Sequence, residues 1–272
     1  MKNLQTLFLK IQSNISSSRK WQIDTHRSST SLYLSILVLL AIWTLLTSSL
    51  HLIDALFLPS PLEVINSFIK LFTVNDFAKD IFATTLRVLV AFVLSIAFAM
   101  PFSILVNESK TTKKIALPYI DFLRYIPVPI LIPLMILFFG LGESSKIALL
   151  FLGTVFQLVL LFIQDLENIP QEYADMSFTL HFTKLKILTT KILSALPNMY
   201  DNTRVSLSLC WSYVIFAELV SAQTGIGHMI KDAQRFSNTG NIYAGIIVMA
   251  LIGFGSDFIM RRLYTVLFPY KS

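Results

Sequence analysis

The chain has 272 residues, of which 54% are hydrophobic and only 14% charged, where a soluble globular domain carries roughly a quarter charged residues. That balance excludes an ordinary soluble domain. The formal net charge of +6 does not point to nucleic acid, because Lys and Arg fall in the polar segments between apolar runs rather than on one aromatic-interleaved face.

Residues 1–30 form a polar tail with Lys2, Lys10, Arg19, Lys20 and Arg27. They contain no apolar stretch followed by a small-residue cleavage site, so the first span is expected to remain in the mature protein. Apolar runs then recur at 31–50, 82–106, 116–139, 146–165, 199–222 and 241–262. The longest reach the ~20 residues that a helix rising ~1.5 Å per residue needs to cross ~30 Å of hydrocarbon. The predicted fold class is therefore all-α, a polytopic membrane protein with about six transmembrane helices, in which 31–272 make one transmembrane unit behind the tail.

Between the first two spans, PLEVINSFIKLF places Leu62, Ile65, Phe68, Ile69 and Phe72 at helical spacing, with Pro61 suited to the first turn. A short interfacial helix is expected there. The third run carries Pro118, Pro127, Pro129 and Pro133, each of which removes a backbone donor, so a broken or kinked span is predicted. With the tail in the cytoplasm, the segments 107–115, 166–198 and 263–272 lie on the same side. The first two hold Lys110, Lys113, Lys114, Lys184, Lys186 and Lys191, whereas the opposite segments hold fewer cations, a bias that predicts both termini in the cytoplasm.

The cytoplasmic segment 166–198 contains two apolar sets at helical spacing, Tyr173, Met176, Leu180 and then Leu185, Leu188, Ile192. Two short helices around a turn near His181 fit this pattern. They make either a polar connector on the membrane surface or a docking element for a partner's groove.

Ionisable residues within spans are candidates for a pathway or for helix–helix contacts. Glu218 lies near the outer end of the fifth run and Arg124 in the proline-rich third, and a charge pair between them lining the cavity is one reading. Arg87 and Asp257 lie nearer span ends, where snorkelling is the simpler account. In the fifth run Ser206, Ser208, Trp211, Ser212 and Tyr213 suit either close packing or a cavity wall, and Trp211 would either stack on an organic solute or pack. Cys210, the single cysteine, excludes an intrachain disulfide and reads as a small buried hydrophobe. His26, His51, His181 and His228 are scattered without ligand spacing, so no metal site is expected. No H-E-x-x-H, G-x-S-x-G or phosphate-binding G-x-x-x-x-G-K-[ST] string occurs; GLGESSK at 140–146 lacks the spacing.

An acidic residue, a helix, a turn, a second helix and a closing Leu196-Pro197 before the fifth span resemble the "EAA" cytoplasmic loop of membrane subunits of binding-protein-dependent ABC importers. LFLPSPLEVINSFIKLF (56–72), TTLRVLVAFVLSIAFAMPFSILV (84–106), LRYIPVPILIPLMILFFGLGESSKIALL (123–150) and FAELVSAQTGIGHMI (216–230) are similar to the nitrate/sulfonate/taurine branch of that family. The resemblance implies the type I importer transmembrane fold and a permease subunit of the bacterial inner membrane. It implies a small solute of nitrate, sulfonate, taurine, bicarbonate or vitamin-precursor type. A periplasmic or lipid-anchored binding protein would deliver it, and a second permease copy would complete the pathway as homodimer or heterodimer. A cytoplasmic ATPase subunit would use the ATP, with no cofactor bound by this chain. Coupling to that ATPase would fall on Glu172, Ala174, Asp175, Met176, Leu180, His181 and Lys184.

The loop departs from the family pattern. Counting back from Leu196-Pro197, the Glu-Ala-Ala triplet falls on Ala174, Asp175 and Met176, and the usual turn glycine on Leu180; a shifted register would let Glu172 supply the acid. Gly225 and Gly227 in TGIGHMI match a family turn, where backbone permissiveness accounts for glycine. The rival reading is a secondary transporter driven by an ion gradient, which usually shows internal repeats and several intramembrane acids.

Overall fold

The computed structural model describes residues 29–49, 53–74, 76–169 and 182–271. Contacts divide the chain into two units, Met1–Pro61 and Leu62–Ser272.

In the first unit, α1 (Ser29–Thr44) continues as a π-helical turn, Leu45–Ser49. Its Leu, Ile and Val side chains from Leu34 to Ile42 are exposed, the pattern of a helix that is apolar all round and solvated by lipid. Thr44 and Thr47 return their hydroxyls to the carbonyls of Leu40 and Trp43 at 2.7 and 2.9 Å, so neither presents an unsatisfied donor to hydrocarbon. Trp43 Nε1 donates to the Pro59 carbonyl at 3.0 Å.

The short helix expected from 61–72 is α2, Pro61–Val74. Its buried residues are Val64 and Leu71, while Leu62, Ile65 and Ile69 are more than half exposed. The predicted apolar stripe thus faces away from the protein. On a helix at a membrane boundary that face suits acyl chains, while the narrower Val64–Leu71 line meets the bundle.

Asp76, in a left-handed conformation with φ 48°, turns the chain into α3, Phe77–Glu108. One face of α3 carries Thr84, Val88, Ala91, Ser95, Ala99 and Ser103, all buried. Small side chains spaced three or four apart let the neighbouring backbones approach closely. Ser109 caps α4, Lys110–Leu123, by accepting from Thr112 N. The chain then breaks at Arg124–Pro127, runs through a 3-10 turn (Val128–Leu131) and resumes as α5, Ile132–Phe139. The two parts meet at 89°. Pro127 and Pro129 lack the N–H that would continue α4, which accounts for the break foreseen in the third run.

Gly140, at φ 73°, closes α5. Next comes α6, Glu143–Glu167, the most enclosed helix, which packs along both α3 and α7. Helix α7, Lys184–Ser221, is continuous over 38 residues and holds Pro197 inside it. The second half of the 166–198 block is therefore the first part of the fifth spanning helix rather than a separate piece ended by Leu196-Pro197. At ~1.5 Å per residue α7 is about 57 Å long, far more than the ~30 Å hydrocarbon core. A short α8, Ile226–Arg235, and a long α9, Thr239–Leu267, complete the chain and pack against α7.

Among the described residues, four helices are long and apolar enough to cross a bilayer, five if the bent α4–α5 pair is one span. Tyr33–Ser48 is a shorter apolar helix that supplies the sixth expected segment.

Candidate functional site

Five elements converge at the end of the bundle where α3 and α6 begin and α7 finishes. Arg87 on α3 is only 3% exposed, and Glu218 on α7 is fully buried. Arg87 Nη1 donates to Glu218 Oε1 at 2.6 Å and to the Thr224 carbonyl at 2.7 Å. Its Nε and Nη2 donate to Glu143 Oε2 and Oε1 at 2.5 and 2.8 Å, and Nη2 also reaches Thr224 Oγ1 at 3.0 Å. A guanidinium has five N–H donors, and here every one has an acceptor.

Glu218 is as fully engaged. Its carboxylate accepts from Thr84 Oγ1 at 2.8 Å and from Gly227 N at 2.8 Å besides Arg87. Thr84 in turn accepts from Ile226 N at 2.9 Å, and Asp80 Oδ1 accepts from Gly225 N at 2.7 Å. The side chains of α3 and α7 thereby satisfy the first amides of α8, which would otherwise be orphaned donors in a buried place. Lys146, 4% exposed, adds a second cation to Glu143 at 2.8 Å.

The glycines of this turn have two different reasons. Gly225 stands at φ 120°, and a Cβ on it would lie 2.5 Å from both Arg87 Nη1 and Glu218 Oε1. Gly227 is helical with negative φ, and a Cβ there would lie 2.7 Å from Glu218 Cβ. Backbone freedom explains Gly225, as expected; at Gly227 the cause is close approach.

These contacts correct three expectations. Arg87 does not snorkel; it lies inside the protein, and it is the partner of Glu218. Arg124 is elsewhere, at the α4–α5 break, with Nε 2.7 Å from Asp121 Oδ1. Asp257 does not simply snorkel either, because it accepts from Arg204 Nε at 3.1 Å and Arg261 Nε at 2.8 Å, tying α7 to α9. The sequence reading overlooked Thr84, Glu143, Thr224 and Arg204. The one signal for the cluster was a lone cation, Arg87, in an otherwise charge-free run.

Trp211 is 7% exposed and donates from Nε1 to Ser256 Oγ at 3.0 Å. It borders a cavity of about 590 Å³ together with Ser208, Ser212 and Met249. A second cavity, about 620 Å³, lies beside α7 and is bordered by Arg124, Gln157 and Tyr213. At the other end of α6, Lys113 pairs with Glu167, joining α4 to α6. Glu172, Ala174, Asp175, Met176, Leu180 and His181 lie outside the described residues, and Lys184 is the first residue of α7, behind the cap Thr183.

The model of the binding-protein-dependent transport system inner membrane component family matches residues 91–270, about two-thirds of the chain. The chain belongs to that family. It is accordingly a permease subunit of a binding-protein-dependent ABC importer and a multi-pass membrane protein. The taurine transport system permease protein TauC of Escherichia coli (strain K12) is 30% identical over 259 residues, 93% of this chain and 94% of TauC. The nitrate import permease protein NrtB of Synechocystis sp. is 25% identical over 248 residues, covering 88% of this chain and 89% of NrtB. In fold, the permease matches an amino acid ABC transporter solved with histidines at a TM-score of 0.57 and 15% identity, over 79% of this chain and 97% of that one.

Proposed function

We propose that this permease subunit carries a small oxyanion, of the sulfonate or nitrate type, delivered by a separate solute-binding protein and driven by a separate cytoplasmic ATPase. The observation that carries this reading is the near end-to-end similarity to a taurine permease, with the nitrate permease as a second, more distant relative. Both named solutes present an anionic group with several oxygens.

The segment 166–198 is the coupling element, with Glu172, Ala174, Asp175, Met176, Leu180, His181 and Lys184 at or near the ATPase contact. The continuity of α7 supports this role, because a push received near Lys184 travels along one helix to Glu218. A second permease copy, most simply an identical one, completes the pathway, and both termini are cytoplasmic. Of the candidate pathway residues, Arg124 and Trp211 border cavities. Glu218, with its carboxylate occupied, is a positioning residue that holds the α7–α8 turn.

The test is a mild-detergent pull-down of the chain from its native membrane with mass spectrometry of what stays bound. Recovery of a phosphate-loop ATPase, lost when Asp175 and Leu180 are both replaced by bulky charged residues, is the expected result. Recovery of the chain alone, with solute uptake that survives ATP depletion but collapses with the ion gradient, would overturn the reading in favour of a secondary transporter.

A further inference from the structure

Two arginines inside the membrane region differ in one respect: Arg87 has an acceptor for all five N–H donors, and Arg124 does not. Arg124 Nε lies against Asp121, Nη2 reaches Tyr125 Oη at 3.2 Å, and Nη1 reaches Gln157 Oε1 only at 3.5 Å. Each terminal nitrogen keeps a second N–H with no acceptor among the described residues. The side chain is 29% exposed, on the wall of the cavity of about 620 Å³.

The depth of this group follows from two contacts between antiparallel helices. Lys113 meets Glu167, and Arg124 meets Gln157. The intervening lengths of α4 and α6 correspond to about 16 and 15 Å at ~1.5 Å per residue. Gln157 is then about 21 Å from Glu143 at the opposite end of α6. Arg124 therefore stands near mid-depth of a spanning helix, where an ionisable group is costly and is retained for a pathway or a contact.

The cavity wall is otherwise mostly apolar, with Leu131, Phe156 and Leu209 around Arg124, Gln157 and Tyr213. Tyr213 Oη has no hydrogen bond to a described residue, and its ring is seated over Gly153, where a Cβ would lie 2.8 Å from Tyr213 Cδ2. The size falls in the range of small-ligand sites, roughly 300–1,000 Å³, and the pattern of apolar wall with a few convergent polar groups is the usual one. A guanidinium fork with free N–H groups matches the oxygens of a sulfonate or nitrate. Asp121 orients the fork through Nε and offsets part of its charge, which keeps such a site weak. A transit site must release what it takes up.

We propose that Arg124, assisted by Gln157 and Tyr213, forms a transit subsite for the oxyanion end of the transported solute. This inference rests on the permease reading above and deepens it.

The test uses the assembled complex, with its own ATPase and binding protein, in proteoliposomes offered taurine, ethanesulfonate and nitrate. With whichever probe the native complex carries, Arg124→Gln lowers the solute moved per ATP by about tenfold or more, the effect of losing a hydrogen bond to a charged group. The half-saturating solute concentration stays where the binding protein sets it. Arg124→Lys, which keeps the charge without the fork, falls between the two. The pair Gln157→Leu and Tyr213→Phe also lowers solute moved per ATP with Arg124 intact, so the proposal remains testable where Arg124→Gln fails to assemble. Solute moved per ATP within about twofold of native in Arg124→Gln, or in the Gln157/Tyr213 variant, would overturn the subsite alone. Transport falling in step with ATP hydrolysis would do the same, because that is a structural loss. Failure of the native complex to import any of the three probes would overturn the oxyanion assignment and the subsite together.

Discussion

Arg87 and Glu218, 131 residues apart in sequence, meet at 2.6 Å inside the bundle, and neither keeps a polar atom free for anything else. Such a pair is weak evidence for net stability, since desolvation offsets much of its attraction, but removing one partner alone strands a buried charge. Glu218→Gln should therefore destabilise the purified permease by about 3–5 kcal/mol, read as a fall in thermal midpoint in detergent. Asp121→Asn, at a pair on a cavity wall whose carboxylate is half exposed, should cost clearly less. Equal losses in the two variants would contradict the burial argument.

The glycines of the bundle supply a contrast. Gly225→Ala forces a side chain into a left-handed backbone and against Arg87 and Glu218, at a cost of at least 1–3 kcal/mol for the backbone conformation alone, about the range for a strained residue. Gly255→Ala meets nothing within 4 Å inside α9, and should stabilise the helix by about 0.5–1 kcal/mol. Thermal midpoints moving in opposite directions are the expected outcome.

The contact between α7 and α9 through Asp257 is more forgiving. Asp257→Asn leaves Arg204 with Asp201 at 2.8 Å and leaves Arg261, which is 65% exposed, in reach of water. The expected loss is about 1 kcal/mol, clearly smaller than that of Glu218→Gln when both are measured side by side. A larger loss at Asp257 would show that its ion pairs are desolvated in the membrane.

If α7 transmits force as one helix, softening it between its first turns and the apolar part should separate hydrolysis from transport. Leu193→Gly with Ser194→Gly weakens the helix by up to about 1 kcal/mol per residue. Leu193 is exposed and packs little, so the fold should survive. The expected result in the reconstituted complex is ATP hydrolysis that continues while solute moved per ATP falls. Unchanged coupling would argue against α7 as the transmitting element.

Much of this protein was legible in order of residues alone. Long charge-free runs dictate spanning helices because an unpaired backbone cannot sit in hydrocarbon. Clustered prolines at 127–133 dictate a break because they lack the donor that would close it. The amphipathic run after Pro61 announces a short helix, although its apolar stripe faces outward, since periodicity reports a face and says nothing about what lies opposite it. The helical spacing of Leu185, Leu188 and Ile192 is legible in 166–198, whereas the passage of α7 unbroken through Pro197 is not: propensity weighs one residue, and packing on α6 holds the whole helix.

Which charges meet was beyond the sequence. Glu218 reads as a candidate partner for Arg124 because both are ionisable groups within apolar runs, yet Glu218 binds Arg87, Thr84 and Gly227. The choice depends on how three helices from distant parts of the chain are rotated and staggered, and sequence spacing does not encode that rotation. The same holds for Arg87 and Arg124, one residue type in two similar runs. Only the packed bundle decides which guanidinium is saturated by its neighbours and which is left with donors facing a cavity.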